Sequence, residues 1–316
     1  VRLREMMNVH ISDTWRNIRA ILASILRATL GPLVRLALRI FKTEILPSNL
    51  EGRIGHQIVE PLYLELLRQS GVRNWKRILV LWDPRQVANE LAFQSLPDSF
   101  IRVKSPLLRW ILNQVMMFVY TPEYPSPTQG VGVEGQAADF FKYTSLVDRN
   151  FEFMQIPDER ALEIRLRSAL GIPKDRWICT FHVREPGPFG DEAIHSYRNS
   201  DPKTYISAIS EITARGGFVV RIGMSQAESL APQEGLLQLG PGARGKGEAD
   251  LILSRASLFF LGGGSSGAHA MASCNGVPVV GVNVAPLGAV KIWGPRDLAI
   301  PKLFRKTSSG ELSPFP

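Results

Sequence analysis

The sequence contains little cysteine and lacks the patterns that mark several common classes of site. Its 2 cysteines, Cys179 and Cys274, both lie in apolar contexts, and no Cys/His spacing is typical of a zinc site. We therefore expect two reduced core residues in a cytosolic protein. No Gly-Lys-Ser/Thr ending of a phosphate loop occurs, and internal repeats and low-complexity tracts are also absent.

A long uninterrupted apolar run is absent too. Three arginines fall between Leu22 and Ile40, and each would cost about 2.5 to 3.5 kcal/mol at the centre of a bilayer. This pattern excludes a membrane span. We also expect no signal peptide, because the segment lacks the apolar core and the cleavage site that one needs. Residues 1–46 instead predict two basic amphipathic helices separated by Gly31-Pro32. They would lie in an anionic membrane interface or pack on the following domain, and the sequence leaves both open.

The composition is that of a globular protein with an anionic partner. Apolar residues make up 45% and charged residues 21% of the sequence, and its length of 316 residues is enough for two domains. The net charge of +8 and the pI of about 9.7 fit nucleic acid, a membrane surface or a phosphorylated substrate.

Strand and helix patterns alternate after the basic segment, which predicts an α/β fold with parallel sheets. Residues 47–155 predict a small α/β domain, residues 156–306 a doubly wound domain, and residues 307–316 a polar tail. The predicted strands of the doubly wound domain are Trp177–Val183, Gly217–Ile222, Leu236–Leu239, Leu258–Leu261 and Val277–Val282.

A glycine-rich turn links the last two of these strands. Gly264 precedes Ser265 and Ser266, which are candidate N-caps for a helix beginning at Gly267. Backbone N–H groups at such a helix N-terminus, with two hydroxyls beside them, predict a phosphate site. The alternative is that the glycines only turn a tight corner of the sheet.

Polar side chains follow other predicted strands at the edge where an open parallel sheet binds ligands. Two arginines at these strand ends predict a diphosphate site, because a guanidinium pairs with phosphate oxygens. The diphosphate candidates are Arg184, Arg221, Gly264, Ser265, Ser266 and Gly267. The candidates for other substrate contacts are His182, Arg198, Asn199 and Gly223.

Several motifs resemble a family of bacterial glycosyltransferases that is distantly similar to the fucosyltransferases. The similar segments are HVRE at 182–185, YRNSDPKTY at 197–205, GGFVVRIG at 216–223, LFFLGGGSSG at 258–267, GVPVVGVN at 276–283 and DLAIPKL at 297–303. GRIGHQ at 52–57 is similar to the Gly-Arg-Leu-Gly-Asn-Gln loop of fucosyltransferases. The likeness covers about residues 48–306.

The resemblance implies the GT-B plan, in which two Rossmann-like domains face each other across a cleft. The N-terminal domain would hold the acceptor and the C-terminal domain the nucleotide sugar, with Arg184, Ser265, Ser266 and Gly267 at the donor diphosphate. The sequence departs from the fucosyltransferase pattern His-x-Arg-x-Gly-Asp, because Glu185-Pro186-Gly187 follows the arginine. A preference for guanine nucleotides therefore does not carry over.

The chemistry of sugar transfer then suggests catalytic residues. Arginines and a helix N-terminus can stabilise a leaving diphosphate without a metal, and the sequence contains no Asp-x-Asp pair. We expect no metal and no cofactor, since the donor is a substrate. His56 is the first candidate for the general base, and Glu185 and Asp191 are the alternatives.

The sequence thus predicts a metal-independent glycosyltransferase, peripheral on the cytoplasmic side of the cell membrane, that acts in cell-surface glycan synthesis. Its expected partners are a nucleotide sugar, a glycan or lipid-linked acceptor and an anionic membrane surface, and no nucleic acid. The alternatives are another transferase or a nucleotide-sugar epimerase on the same plan, or a basic nucleic-acid-binding protein. Against the last stands the absence of a basic stripe interleaved with aromatic residues.

Overall fold

A computed structural model of the chain shows a mixed α/β fold with parallel sheets. It describes residues 21–22, 24–25, 28–48, 52–119, 153–185, 196–223, 230–240, 247–263, 266–285, 294–306 and 308–313. Within these ranges, no helix has both the length and the apolar character needed to cross a membrane.

The chain divides into two compact units whose segments alternate along the sequence. The first unit comprises Val1–Asn49, Gly71–Arg85 and Asp98–Gly130, and the second comprises Leu50–Ser70, Gln86–Pro97 and Val131–Pro316. The boundaries predicted from the sequence, 47–155 and 156–306, follow chain order and stay a prediction.

The first unit contains a three-stranded parallel sheet in the order β1-β2-β3. Its elements are α1 (residues 28–40), β1 (Thr43–Leu46), β2 (Arg77–Val80), β3 (Phe100–Arg102) and α4 (Pro106–Val119). Both helices pack against one cluster around Ile45 and Leu81: α1 contributes Leu30, Val34 and Leu38, and α4 contributes Leu112 and Val115. The spacing of four residues in α1 places those three side chains on one face of the helix.

Two details of this unit differ from the sequence prediction. Residues 28–40 are helical throughout, so the predicted break at Gly31-Pro32 is wrong. A proline inside a helix costs about 3 kcal/mol, and the packing of Leu30 and Val34 on the sheet offsets that cost. Ile45 and Leu46, expected to end a helix, form a strand paired with Leu79 and Val80.

The second unit contains a six-stranded sheet, all parallel, in the order β6-β5-β4-β7-β8-β9. Its strands are β4 (Trp177–His182), β5 (Gly217–Arg221), β6 (Leu236–Gln238), β7 (Phe259–Gly263), β8 (Val279–Val284) and β9 (Leu298–Pro301). Numbered from its first strand, this order is 3-2-1-4-5-6, that of the Rossmann fold. The predicted doubly wound parallel sheet is confirmed, and β9 is an addition that the sequence did not reveal.

Helices of the second unit complete the layers around this sheet. They are α2 (Ile54–Gln69), α3 (Glu90–Gln94), α5 (Glu159–Ala169), α6 (Ile206–Ala214), α7 (Glu248–Arg255) and α8 (Gly267–Ser273). Phe181, Val219 and Leu261 of three neighbouring strands form one core cluster with Ile209 of α6. Cys179 and Cys274 are buried and unpaired by disulfide, as predicted, and burial raises the pKa of the Cys179 thiol.

A chain of buried hydrogen bonds ties α2 into the second unit. Gln57 of α2 exchanges two bonds with Asn89: its Nε2 donates to the Asn89 carbonyl at 2.6 Å and its Oε1 accepts from the Asn89 N–H at 2.8 Å. The Asn89 Nδ2 then donates to the Gly247 carbonyl at 2.9 Å, immediately before α7. Since Gln57 and Asn89 are buried and their side chains are hydrogen-bonded, α2 is held in one place on this unit.

Candidate active site

The candidate site lies at the carboxyl edge of the six-stranded sheet, where the strand order reverses between β4 and β7. His182 ends β4 and is in register with Gly262 of β7. The two chains are so close that a Cβ on Gly262 would stand 1.8 Å from the His182 carbonyl oxygen. Open α/β sheets bind ligands at this switch point, because the loops after the two strands diverge to opposite faces there.

His182 is held in place by the neighbouring strand β5. Its Nδ1 donates to the Ile222 carbonyl at 2.9 Å, which makes Nε2 the acceptor of the neutral ring. Gly223 follows with a φ of 92°, and a Cβ there would lie 2.2 Å from the His182 Nδ1. The predicted residues His182 and Gly223 are therefore in contact, and glycine is required beside the imidazole.

Arg221 and Glu185, both predicted site residues, form a buried ion pair. The Arg221 Nη2 lies 2.8 Å from the Glu185 Oε2, with side chains only 5% and 8% exposed. The Arg221 Nη1 donates to the Gln238 Oε1 at 2.9 Å. The carboxylate is committed to this buried pair, since loss of either partner would leave the other charge buried and uncompensated. The pair joins the ends of β4, β5 and β6.

Arg184 lies two residues after β4 and contacts the segment that begins at Ser196. Its Nε donates to the Asn199 Oδ1 at 3.1 Å, and its carbonyl accepts from the Ser200 N–H at 2.9 Å. The Lys302 Nζ donates to the Asn199 carbonyl at 2.6 Å. Asn199 therefore brings two cationic side chains together, from the end of β4 and from just beyond β9.

Lys302 is partly removed from water at this position. Burial lowers the pKa of its ammonium group below the ordinary value of 10.5. An anion beside the ammonium would favour the charged form and offset that cost. The arrangement of Arg184, Asn199 and Lys302 therefore suits an anionic ligand.

Ser266 begins α8 as its N-cap. Its hydroxyl accepts from the His269 N–H at 3.1 Å. The predicted start of the helix at Gly267 is confirmed, but the helix has 7 residues and the Ser266 hydroxyl is engaged in capping it. A contribution of Ser266 to anion binding would have to come in addition to that role.

The two glycine-rich motifs of the sequence meet at this point. Gly267 of α8 lies against the first turn of α2, and a Cβ there would stand 2.4 Å from the Ile54 Cγ2 and 2.9 Å from the Gly55 nitrogen. The absence of a side chain at Gly267 thus allows two helix N-termini to touch. His56, the next residue of α2, is placed beside the start of α8 by this contact.

His56 is paired with a carboxylate on its own helix. Its Nδ1 donates to the Glu60 Oε1 at 2.9 Å, and its side chain is 39% exposed while that of Glu60 is 12% exposed. Because the carboxylate can only accept, this bond fixes the tautomer in which the Nε2 of a neutral ring accepts a proton. This orientation would suit a general base.

Four predicted residues remain to be placed. Arg198 lies in a short 3-10 turn, Ser196–Arg198, directly before Asn199. Asp191, Gly264 and Ser265 lie outside the residues that the structure describes.

The structure adds residues that the sequence did not single out. Lys302 belongs to a motif that was noted only for its family likeness. Gln238 ends a short strand, and Glu60 follows His56 by four residues. The spacing of His56 and Glu60 was the one readable signal, since side chains four apart meet on a helix. Among the described residues, no group of three His, Cys, Asp or Glu side chains could hold a metal ion.

Several solved structures are similar to this chain at low identity. A family 9 glycosyltransferase from Veillonella parvula is 10% identical, with a TM-score of 0.49, over 82% of this chain and 84% of that one. ADP-heptose LPS heptosyltransferase II of E. coli is 11% identical, with a TM-score of 0.44, over 85% and 91%. The iron-containing dodecameric glycosyltransferase TibC of enterotoxigenic E. coli is 13% identical, with a TM-score of 0.45, over 81% and 63%.

No protein-family model and no curated protein matches the chain. Because each of these three TM-scores is below 0.5, the similarities assign neither a family nor an activity. The fucosyltransferase likeness stays a prediction.

Proposed function

We propose that this protein transfers a sugar from a nucleoside-diphosphate sugar to a saccharide or lipid-linked acceptor in cell-surface glycan synthesis. The observation that carries the proposal is the meeting of Arg184 and Lys302 on Asn199 beside the switch point of a Rossmann-type sheet. A cleft at a switch point suits a nucleotide, and two cations suit its diphosphate.

In this proposal Arg184 and Lys302 stabilise the leaving diphosphate. The acceptor oxygen attacks the anomeric carbon, the bond from that carbon to the phosphate oxygen breaks, and the nucleoside diphosphate departs with the bonding electrons. Both cations favour this step because negative charge grows on the departing phosphate oxygens. No metal ion is required for such stabilisation, and metal independence is part of the proposal.

His56 takes the proton that the acceptor hydroxyl loses. The bond from its Nδ1 to Glu60 orients the ring and stabilises the imidazolium that forms. Arg221 and Glu185 hold the strand ends and do not touch the donor, in contrast to the diphosphate and catalytic roles predicted for them. Gly264 and Ser265 keep their predicted contacts with the diphosphate, and Asp191 stays the alternative to His56 as general base.

The wider setting of the reaction is also proposed. We propose that the predicted N-terminal domain binds the acceptor and that the two Rossmann-like domains follow the GT-B plan. We also propose that the enzyme lies on the inner face of the cell membrane. The basic, apolar character of α1 and the residues before it supports the last assignment.

The test is turnover of nucleotide sugars by the purified protein. The panel comprises GDP-fucose, UDP-glucose, dTDP-rhamnose and ADP-heptose, each with and without a bacterial membrane extract as the source of acceptors. We expect release of one nucleoside diphosphate, accelerated by the extract and lost in Arg184→Ala. Release from none of them, together with salt-dependent binding of random DNA, would instead support the nucleic-acid-binding alternative. Conversion of the sugar without release would indicate an epimerase.

A further inference from the structure

Helix α1 of the first unit is apolar on two sides. Its inner side packs on the sheet through Leu30, Val34 and Leu38. Its outer side carries Leu33, Leu36 and Ile40, which are 56% to 65% exposed. Ile25, in the helical residues before α1, is exposed as well. The inner face is already buried, so the outer face needs a separate explanation.

Helix α4 repeats this arrangement on the same cluster. Leu112 and Val115 pack inward on the same cluster as α1. Leu107 and Trp110 lie toward the opposite side of the helix and are 67% and 39% exposed. Because both helices pack on the same cluster, we infer that their outer sides belong to one surface. We call it the outer apolar surface: Ile25, Leu33, Leu36, Ile40, Leu107 and Trp110.

The charge of the neighbouring sequence indicates what binds to this surface. Residues 14–43 contain no Asp or Glu and six basic residues: Arg16, Arg19, Arg27, Arg35, Arg39 and Lys42. Two copies of this chain meeting here would bring these charges together and repel each other. A bilayer with anionic head groups complements both features, since it accepts apolar side chains and attracts the cations around them.

We propose that the outer apolar surface lies in the head-group region of an anionic bilayer, with α4 as a second contact beside the basic N-terminal helix. Trp110 fits this depth, because an indole combines an apolar ring with a polar N–H. Arg39, near the end of α1, and Lys42, in the turn after it, are both exposed, and long side chains of this kind reach phosphates from an apolar stem. The contact rests on the membrane placement in the proposed function and specifies which surfaces make it, while sugar transfer itself is a separate claim.

The experiment measures co-sedimentation of the full chain with vesicles in the absence of any nucleotide sugar. The vesicles are phosphatidylcholine alone, or phosphatidylcholine mixed with phosphatidylglycerol. We expect binding to the mixed vesicles that weakens as salt is raised. The double variants Leu36→Ser/Ile40→Ser and Leu107→Ser/Trp110→Ser each reduce partition at least about tenfold.

A matched control removes exposed apolar side chains from the second unit. Ile164 and Leu258 are 48% and 56% exposed there, and Ile164→Ser/Leu258→Ser leaves partition unchanged. Circular dichroism and the thermal midpoint of each variant show that it folds.

Three results would overturn the proposal. They are no binding to the mixed vesicles, equal binding to phosphatidylcholine alone, and unchanged partition of the α4 variant. A dimer that both surface variants dissociate in light scattering would identify a second copy as the occupant instead. Nucleotide-sugar turnover is measured separately, so failure of this proposal and failure of the proposed function are distinguishable.

Discussion

Gly267 lies against Gly55, so close that a Cβ on Gly267 would stand 2.9 Å from the Gly55 nitrogen. This contact joins the start of α8, which follows the switch-point strand β7, to the start of α2, which carries His56. A glycine that looks like part of a phosphate loop is thus also required for helix packing.

Replacing Gly267 by Ala should therefore destabilise the protein without any ligand. The added methyl group forces α2 and α8 apart, at a cost of about 1 to 3 kcal/mol. Urea unfolding of the intact protein measures the loss. Gly240→Ala is the control, since a Cβ at Gly240 meets nothing within 4 Å. Equal stability of the two variants would show that the helix contact does not constrain the fold.

The Arg221–Glu185 pair predicts a marked difference between single and double substitution. Arg221→Ala leaves a buried carboxylate without its counter-ion and should cost roughly 3 to 5 kcal/mol, whereas Arg221→Met/Glu185→Leu should be nearly neutral. Free energies of unfolding, measured for wild type, the single variant and the double variant, test this difference.

The same double variant tests the role of the pair in binding. If Arg221 only holds the strand ends, the double variant keeps its affinity for the nucleoside diphosphate within a few-fold. Loss of affinity in a stably folded double variant would mean that Arg221 contacts the diphosphate after all.

Lys302 predicts a pH dependence of diphosphate binding. Burial lowers the pKa of this ammonium group in the unliganded protein below 10.5, and a bound diphosphate favours the charged form. Affinity should therefore fall as pH rises through that lowered pKa toward 10.5, because the ammonium must regain a proton to bind. Calorimetry of Lys302→Met should show weaker binding without this part of the decline. An identical pH dependence in wild type and Lys302→Met would remove Lys302 from the site.

His56 predicts a separation of catalysis from donor binding. His56→Gln should lower kcat by about 10²- to 10⁴-fold, the usual contribution of a general base, while the dissociation constant of the diphosphate is unchanged. Glu60→Gln should lower kcat less, since the imidazole remains and only its orientation and the carboxylate's stabilisation of the imidazolium are weakened. A kcat for His56→Gln within a few-fold of wild type would assign the proton to another group.

The parts of the fold predicted from sequence are those encoded locally. Runs such as Trp177–His182 and Gly217–Arg221 are short, apolar and bounded by polar or glycine residues, so their strands and parallel arrangement could be read directly. Thr43–Leu46 was missed because its few apolar residues continue a helical pattern, and only pairing with β2 makes it a strand.

The parts that could not be predicted depend on contacts between distant residues. The assignment of α2 to the second unit rests on the hydrogen bonds among Gln57, Asn89 and Gly247, and no local sequence pattern predicts these bonds. The strand-end residues of the site were found, since topology alone brings them together. Their pairing was not, because Arg221 could bind a ligand or Glu185, and the bond to Glu185 is visible only in the side-chain geometry.

The central claim is that Arg184 helps to hold a nucleoside diphosphate at the switch point, and thermal unfolding with added nucleotides tests it most directly. GDP, UDP, CMP, dTDP and ADP are compared on wild type, Arg184→Ala and the control Arg215→Ala, an exposed arginine on the C-terminal end of α6. The account predicts that one diphosphate stabilises wild type and the control by about 2.7 kcal/mol at a hundredfold excess over its dissociation constant, and that Arg184→Ala loses this stabilisation. Stabilisation by none of the nucleotides, or equal stabilisation of Arg184→Ala, would contradict it.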